Sequence, residues 1–371
     1  VSDLLRMQQA LMHARASDAQ AVLATLVWRK GSTYRRAGAR AMIVGEEVTG
    51  LLSGGCLEAD IAQHAKAMLA RGEPNTRITY DLASDEADSL LGIGHGCKGT
   101  LGIVLEALPK AASTTDSMAL LAAHADGDQP GAVIHLPGES GPAAAFVHNT
   151  PFSVRRLWRV AGRDVAQGNI GTAEHAALTA MLDRTVTDAR THEQDGMVAE
   201  YLPRPISLLV VGAGADALPL VEFAGGLGFR ITIMDHRPAA LAHPRLASVT
   251  RQHVKKSELG ARTRTAHTRA AVIMTHNLES DQAALAGLLS RDGPTHEYVG
   301  VLGPRARTEK MLAEIGTTLA AHPELRAPAG LDLGGDGADS IALAIVSEIH
   351  ARLHARNGSA LTLKEGPIHG Q

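Results

Sequence analysis

Aromatic residues make up only 3% of this 371-residue chain, which argues against a surface built to stack bases or sugar rings. Cysteine is scarcer still. Cys56 and Cys97 are the only two, which argues against a disulfide scaffold and points to a reducing compartment. Charge of one sign is also missing: 36 basic against 39 acidic side chains leave a net charge of -3. That balance offers no whole-chain electrostatic footprint for nucleic acid or an anionic membrane. No apolar run approaches the roughly 18 residues a spanning helix needs. The longest candidate, 206–220, is broken by Gly212, Gly214, Asp216 and Pro219. The opening segment spaces its apolar residues at helical intervals among charges, without the continuous apolar stretch of a secretory signal. The expectation is a cytoplasmic protein with neither a nucleic-acid nor a membrane partner.

What is present is ordinary globular material, 45% hydrophobic and 20% charged, in a length suited to two or three domains. The spacing predicts an opening helix, strands at 19–29, 39–45 and 48–55, a helix over 56–72, and strands at 76–82 and 100–108. From 111 to 203 the pattern weakens, with helices at 117–126 and 173–184 and strands near 131–136 and 143–148. At 202–207 two prolines precede an abrupt apolar strand, and strand, helix, strand follow with short connections, as in a parallel sheet. The predicted organisation is an N-terminal mixed α/β domain (1–110), a connecting α/β region (111–203) and a Rossmann-like parallel-sheet domain (204–371). A closing amphipathic helix is predicted over 339–356.

In the last domain a buried-strand pattern runs into Gly212, Ala213 and Gly214, then a helix, then a second strand ending at Asp235. Gly212 allows the tight strand-to-helix turn, and Gly214 would let a phosphate approach the backbone. Asp235 falls where an acid would meet a ribose hydroxyl. Against dinucleotide binding stands Asp216, which puts a carboxylate where a pyrophosphate would sit. The expectation is that it turns outward as a helix cap, and NAD(P) is not expected as cofactor. No residue presents itself as a catalytic acid with an orienting partner.

In the first domain the two cysteines have similar surroundings, SGGCLE (53–58) and GIGHGCKGT (92–100). Gly54, Gly55 and Gly96 can expose backbone N–H groups to an anion. Cys56 stands at the start of a predicted helix, where a thiolate is favoured, and Cys97 has Lys98 and His95 beside it. Both cysteines are candidate ligand or metal contacts. Neither has the paired spacing of a zinc site. Arg35, Arg36 and Arg40 in and after the loop 31–38 suit bidentate phosphate binding.

Read together, GSTYRRAGARAMIV, GLLSGGCLEADI and GIGHGCKGTLGIVLEAL, followed by VVGAGADALPLVEFAGGLGFRITIMDHRP, AVIMTHNLESDQAAL, YVGVLGPRART and APAGLDLGGDGADSIALAIVSEI, resemble the XdhC/CoxI family. The resemblance implies a maturation chaperone for molybdenum hydroxylases such as xanthine dehydrogenase. Such a protein binds the molybdenum cofactor, protects it, supports its sulfuration and inserts it into the apoenzyme. Cys56 and Cys97 match the family's cysteines, and Gly212 and Gly214 its Rossmann glycines. At 215–217 Ala-Asp-Ala departs from the family pattern, which puts ordinary dinucleotide binding in doubt. The cargo would be molybdopterin or its dinucleotide form, held by Gly54, Gly55, Cys56, Gly96, Cys97, Arg40, Gly212, Gly214 and Asp235. The implied partners are the hydroxylase client, a sulfur donor such as a cysteine desulfurase, and a second copy in a homodimer. The alternative is an NAD(P)-dependent oxidoreductase using the Rossmann domain.

Overall fold

Strand β1 (Ala21–Gly31) shows how the first half is built. Val22, Ala24 and Leu26 pack on one face and Ala21 and Leu23 on the other, the two-residue alternation that lets a sheet carry a core on both sides. The computed structural model describes residues 2–31, 33–82, 99–136, 150–151, 153–194, 196–363 and 365. By internal contacts the chain divides into Val1–Pro205 and Ile206–Gln371.

In the first unit β1 lies in an antiparallel sheet with β2 (Arg40–Val44), β3 (Glu47–Gly50), β4 (Asn75–Asp81), β5 (Gly99–Ala107) and β7 (Thr150–Pro151), in the order β3-β2-β1-β5-β4-β7. Helix α2 (Glu58–Ala70) covers one face with Ile61, Ala62, Ala65 and Met68, a single helical stripe. The other face packs with α1 (Ser2–Ala16) and α3 (Ser117–Asp126) against a second antiparallel sheet. That sheet is built from β6 (Gly131–His135), β8 (Arg156–Val160), β9 (Arg163–Gln167), β10 (His192–Gln194) and β11 (Met197–Leu202), in the order β10-β11-β6-β8-β9. Its far face is covered by α4 (Thr172–Thr187) through Leu178 and Leu182. The weakly patterned stretch 111–203 thus holds a whole sheet. The strand expected at 143–148 lies outside the described residues.

A charged seam runs between these two sheets. Arg156 donates from Nη1 to Glu106 Oε2 at 2.6 Å and from Nε to His135 Nδ1 at 3.2 Å. His135 Nε2 lies 3.1 Å from Glu200 Oε2, and Glu200 receives two bonds from Arg40 at 2.6 and 2.8 Å. Because Arg156 can only donate, His135 Nδ1 must accept, and the proton sits on Nε2 facing Glu200. Gly38 makes room here: a side chain on it would run into the Glu200 carboxyl group.

The second unit is a six-stranded parallel sheet in the order β14-β13-β12-β15-β16-β17, formed by β12 (Ser207–Val211), β13 (Arg230–Asp235), β14 (Thr250–His253), β15 (Ala270–Ile273), β16 (Tyr298–Val301) and β17 (Leu325–Arg326). The order is the doubly wound one, with its switch point between β12 and β15. Leu208 and Val210 pack towards α5 (Ala217–Gly226) and the closing helix Ala338–Leu353, while Leu209 and Val211 face the helices Leu259–Arg264, Leu278–Leu288 and Arg305–Ile315. The architecture is therefore mixed α/β, antiparallel in the first unit and Rossmann-like in the second. Among the described residues no helix is long and apolar enough to cross a membrane.

Candidate functional site

The SGGC segment is a locked turn. Strand β3 ends at Gly50, short of the strand expected over 48–55, and α2 begins at Glu58, two residues later than expected. Between them, Glu58 folds back on the chain. Its Oε1 accepts from the backbone of Leu52 at 2.9 Å and of Ser53 at 2.8 Å, and its Oε2 from the Ser53 hydroxyl at 2.6 Å. Ser53 Oγ in turn accepts from the Gly55 and Leu57 amides, each at 3.2 Å. Burial would raise the Glu58 pKa, but the bonds from Ser53 and Leu52 outweigh it and hold the carboxyl below its usual range. Cys56 is exposed, its thiol 3.6 Å from Ser53 Oγ. Helix α2 is capped at Leu57 and begins at Glu58, so Cys56 lies just outside the helix rather than at its start.

Gly54 and Gly55 stand beside this thiol with open space where their side chains would be, and Gly55 holds φ +105°. The turn leaves the sheet at the end where β1 finishes and β5 starts, since Gly31 pairs with Gly99. At this same end the chain leaves β4 at Leu82 and rejoins the sheet at Gly99, Leu82 N donating to Gly99 O at 2.9 Å. Gly96 and Cys97 lie outside the described residues. Arg40 is placed elsewhere than the sequence suggested: it is half-buried in the seam, with Nη1 on Glu200 and the Gly38 carbonyl and Nη2 on Glu200 rather than turned to a phosphate. Arg35 lies 3.7 Å from Asp3, and Arg36 is exposed.

In the second unit Gly212, Gly214 and Asp235 do gather at the carboxyl end of the parallel strands. Gly212, at φ +113°, is required by its neighbour strand, because a Cβ there would come within 2.5 Å of Met274 O. Asp235 is already saturated. It accepts from the amides of Ala213 and Arg237, each at 2.7 Å, and from the Arg237 guanidinium at 2.8 and 3.0 Å. Burial opposes ionisation, but these bonds prevail and bring its pKa down to about 2. Asp216 does not cap α5, as the sequence suggested. It makes no capping bond, and its Oδ2 lies 2.7 Å from His276 Nε2 across the switch point. Among the described residues no three or more His, Cys, Asp or Glu stand together as a metal site.

Sequence reasoning missed Ser53 and Glu58, and the pairing of His276 with Asp216. Ser53 and Glu58 carried a signal in the S-x-x-x-x-E spacing around the glycines; the His276–Asp216 pairing carried none, the two lying 60 positions apart.

A parallel Rossmann unit joined to an antiparallel unit with an exposed cysteine on a glycine turn defines the class. The family model for the XdhC and CoxI family matches residues 14–81, and that for the XdhC Rossmann domain matches residues 208–349. The chain belongs to the XdhC/CoxI family. It is 29% identical over 345 residues, 89% of this chain and 92% of the relative, to a Bacillus subtilis protein described as a probable xanthine dehydrogenase subunit. A crystal structure from Bacillus halodurans, described as a xanthine dehydrogenase, shares the fold with a TM-score of 0.71 at 23% identity, covering 96% of this chain and 97% of that one.

Proposed function

We propose that this protein is a maturation factor for a molybdenum hydroxylase of the xanthine dehydrogenase type. In this reading it takes the molybdenum cofactor as cargo, shields it, supports its sulfuration by a donor such as a cysteine desulfurase, and passes it to the apoenzyme. Family membership supports the client. The observation that carries the cargo is the exposed Cys56 thiol beside the open backbone of Gly54 and Gly55. A thiolate is a soft donor suited to a sulfur-ligated metal centre, and bare glycine amides suit the phosphate that the pterin carries. Ser53 and Glu58 hold that turn in one shape, so the thiol is presented without needing a closed cage, and the cargo can leave. Cys97 is the second sulfur of this reading.

The protein's own residues bind and orient; they turn over no free substrate. Reconstitution tests this. Apo-hydroxylase, cofactor and sulfur donor should give active enzyme with the wild-type protein and several-fold less with Cys56→Ala. Equal activation by both would remove Cys56 from the account. Incubation with NADH or NADPH should give no oxidation of the nucleotide, and sustained turnover would favour the oxidoreductase instead.

A further inference from the structure

Asp216 and His276 come from the two loops that flank the switch point of the parallel sheet, the crevice where this strand order ordinarily receives a ligand's phosphates. Three observations converge on Asp216. It stands at the N-cap position, immediately before α5, yet makes no capping bond. Its Oδ1 lies 2.5 Å from where a Cβ on Gly214 would be, so the carboxylate occupies the space that the missing side chain leaves. Its Oδ2 is held at 2.7 Å by His276 Nε2. His276 adopts φ +59°, left-handed backbone uncommon for a residue with a side chain. Arg237 adds a weaker electrostatic pull on the same carboxylate. The Asp216 carboxyl group is therefore held over the glycine turn.

We propose that Asp216, held in place by His276, is the specificity determinant of the second unit and shuts its switch-point crevice to dinucleotide diphosphates. A diphosphate seated on the turn would face the carboxylate at close range, and like charges repel there more strongly than in open water. Two further groups that could serve such a ligand are also engaged: Asp235, the ribose-binding position, is saturated by Arg237 and the Ala213 amide, and His276 is bonded to Asp216. The crevice thus keeps the fold of a dinucleotide site while one side chain puts a carboxyl group where the phosphates would sit. This inference is independent of the maturation reading, since it concerns binding by the isolated protein.

The test titrates full-length wild type and Asp216→Asn with ADP-ribose, and separately with inorganic pyrophosphate, by calorimetry at low salt. ADP-ribose carries the diphosphate and no redox group, so no turnover intervenes. The variant should bind ADP-ribose at least tenfold tighter, about 1.4 kcal/mol, and pyrophosphate should follow the same direction. Adding Gly214→Val, which fills the space over the turn, should abolish the gain. A smaller gain, or one that survives Gly214→Val, overturns the proposal. Asp216→Ala provides a second neutral variant, with circular dichroism confirming that each folds.

Discussion

The charged seam between the two sheets of the first unit makes that unit acid-sensitive, and the size of the effect can be worked out. His135 is buried and neutral. Burial is the main cause, the Arg156 and Arg40 charges add to it, and the hydrogen bond to Glu200 only partly offsets it, leaving a pKa of about 4. The unfolded chain takes up this proton near the ordinary value of about 6.5. Between those two values the unfolded state binds more protons, so stability is full above about 6.5 and falls as pH drops towards 4. At about 1.4 kcal/mol per unit, the shift amounts to about 3 kcal/mol in all. Glu200 adds to this at lower pH. Burial alone would raise it, but the Arg40 charge and the bonds from His135 and Arg40 bring it down to about 2. Its contribution is present above about 4.5 and is lost on further acidification, in the same direction.

Both tryptophans, Trp28 and Trp158, belong to this unit, so urea unfolding followed by tryptophan fluorescence reports on it specifically. Unfolding free energy should fall by about 2 kcal/mol from His135 alone between pH 6.5 and 5. His124, also lowered chiefly by burial, contributes in the same window. His135→Gln separates the two, because glutamine can accept from Arg156 and donate to Glu200 without titrating. The variant should show a flatter pH dependence than wild type over that range. Identical slopes for the two proteins would refute the assignment.

Two further perturbations have defined outcomes. Gly212→Ala places a Cβ 2.5 Å from Met274 O at φ +113°, and should destabilise the second unit by roughly 1–3 kcal/mol; calorimetry should show a lowered transition there while the tryptophan signal is unchanged. Ser53→Ala removes the hydroxyl that joins Glu58, Gly55 and Leu57, and should cost about 1–2 kcal/mol in urea unfolding. It should also lower cofactor retention with Cys56 intact, and a variant as retentive as wild type would show that the turn's rigidity does not matter.

The second unit was the more legible half. Its central strands β12, β15 and β16 are buried on both faces and read as apolar runs, and Gly212 and Gly214 punctuate the turn that the sheet order requires. In the first unit, helix, strand and glycine signals located the SGGC turn but misplaced its edges, because Glu58 reaches back over residues that then belong to neither strand nor helix. Beyond β6, the second sheet was missed, since Arg156 in β8 and Glu200 in β11 stand at buried positions and break the apolar alternation that marks a strand. For the same reason Arg40 was read as a phosphate ligand: its partner Glu200 is 160 positions away. Asp216 illustrates the same limit. Its local pattern is that of a cap, and only the meeting of β12 and β15 brings His276 to it.

The central claim is that Cys56 on its glycine turn holds the molybdenum cofactor. The most direct measurement is the molybdenum and pterin content of protein purified from a molybdenum-replete host, wild type beside Cys56→Ala. The account predicts that wild type carries both in comparable amounts, and that the variant, equally stable because Cys56 is exposed, carries several-fold less. Wild-type protein free of pterin, or a variant loaded as fully as wild type, would contradict it.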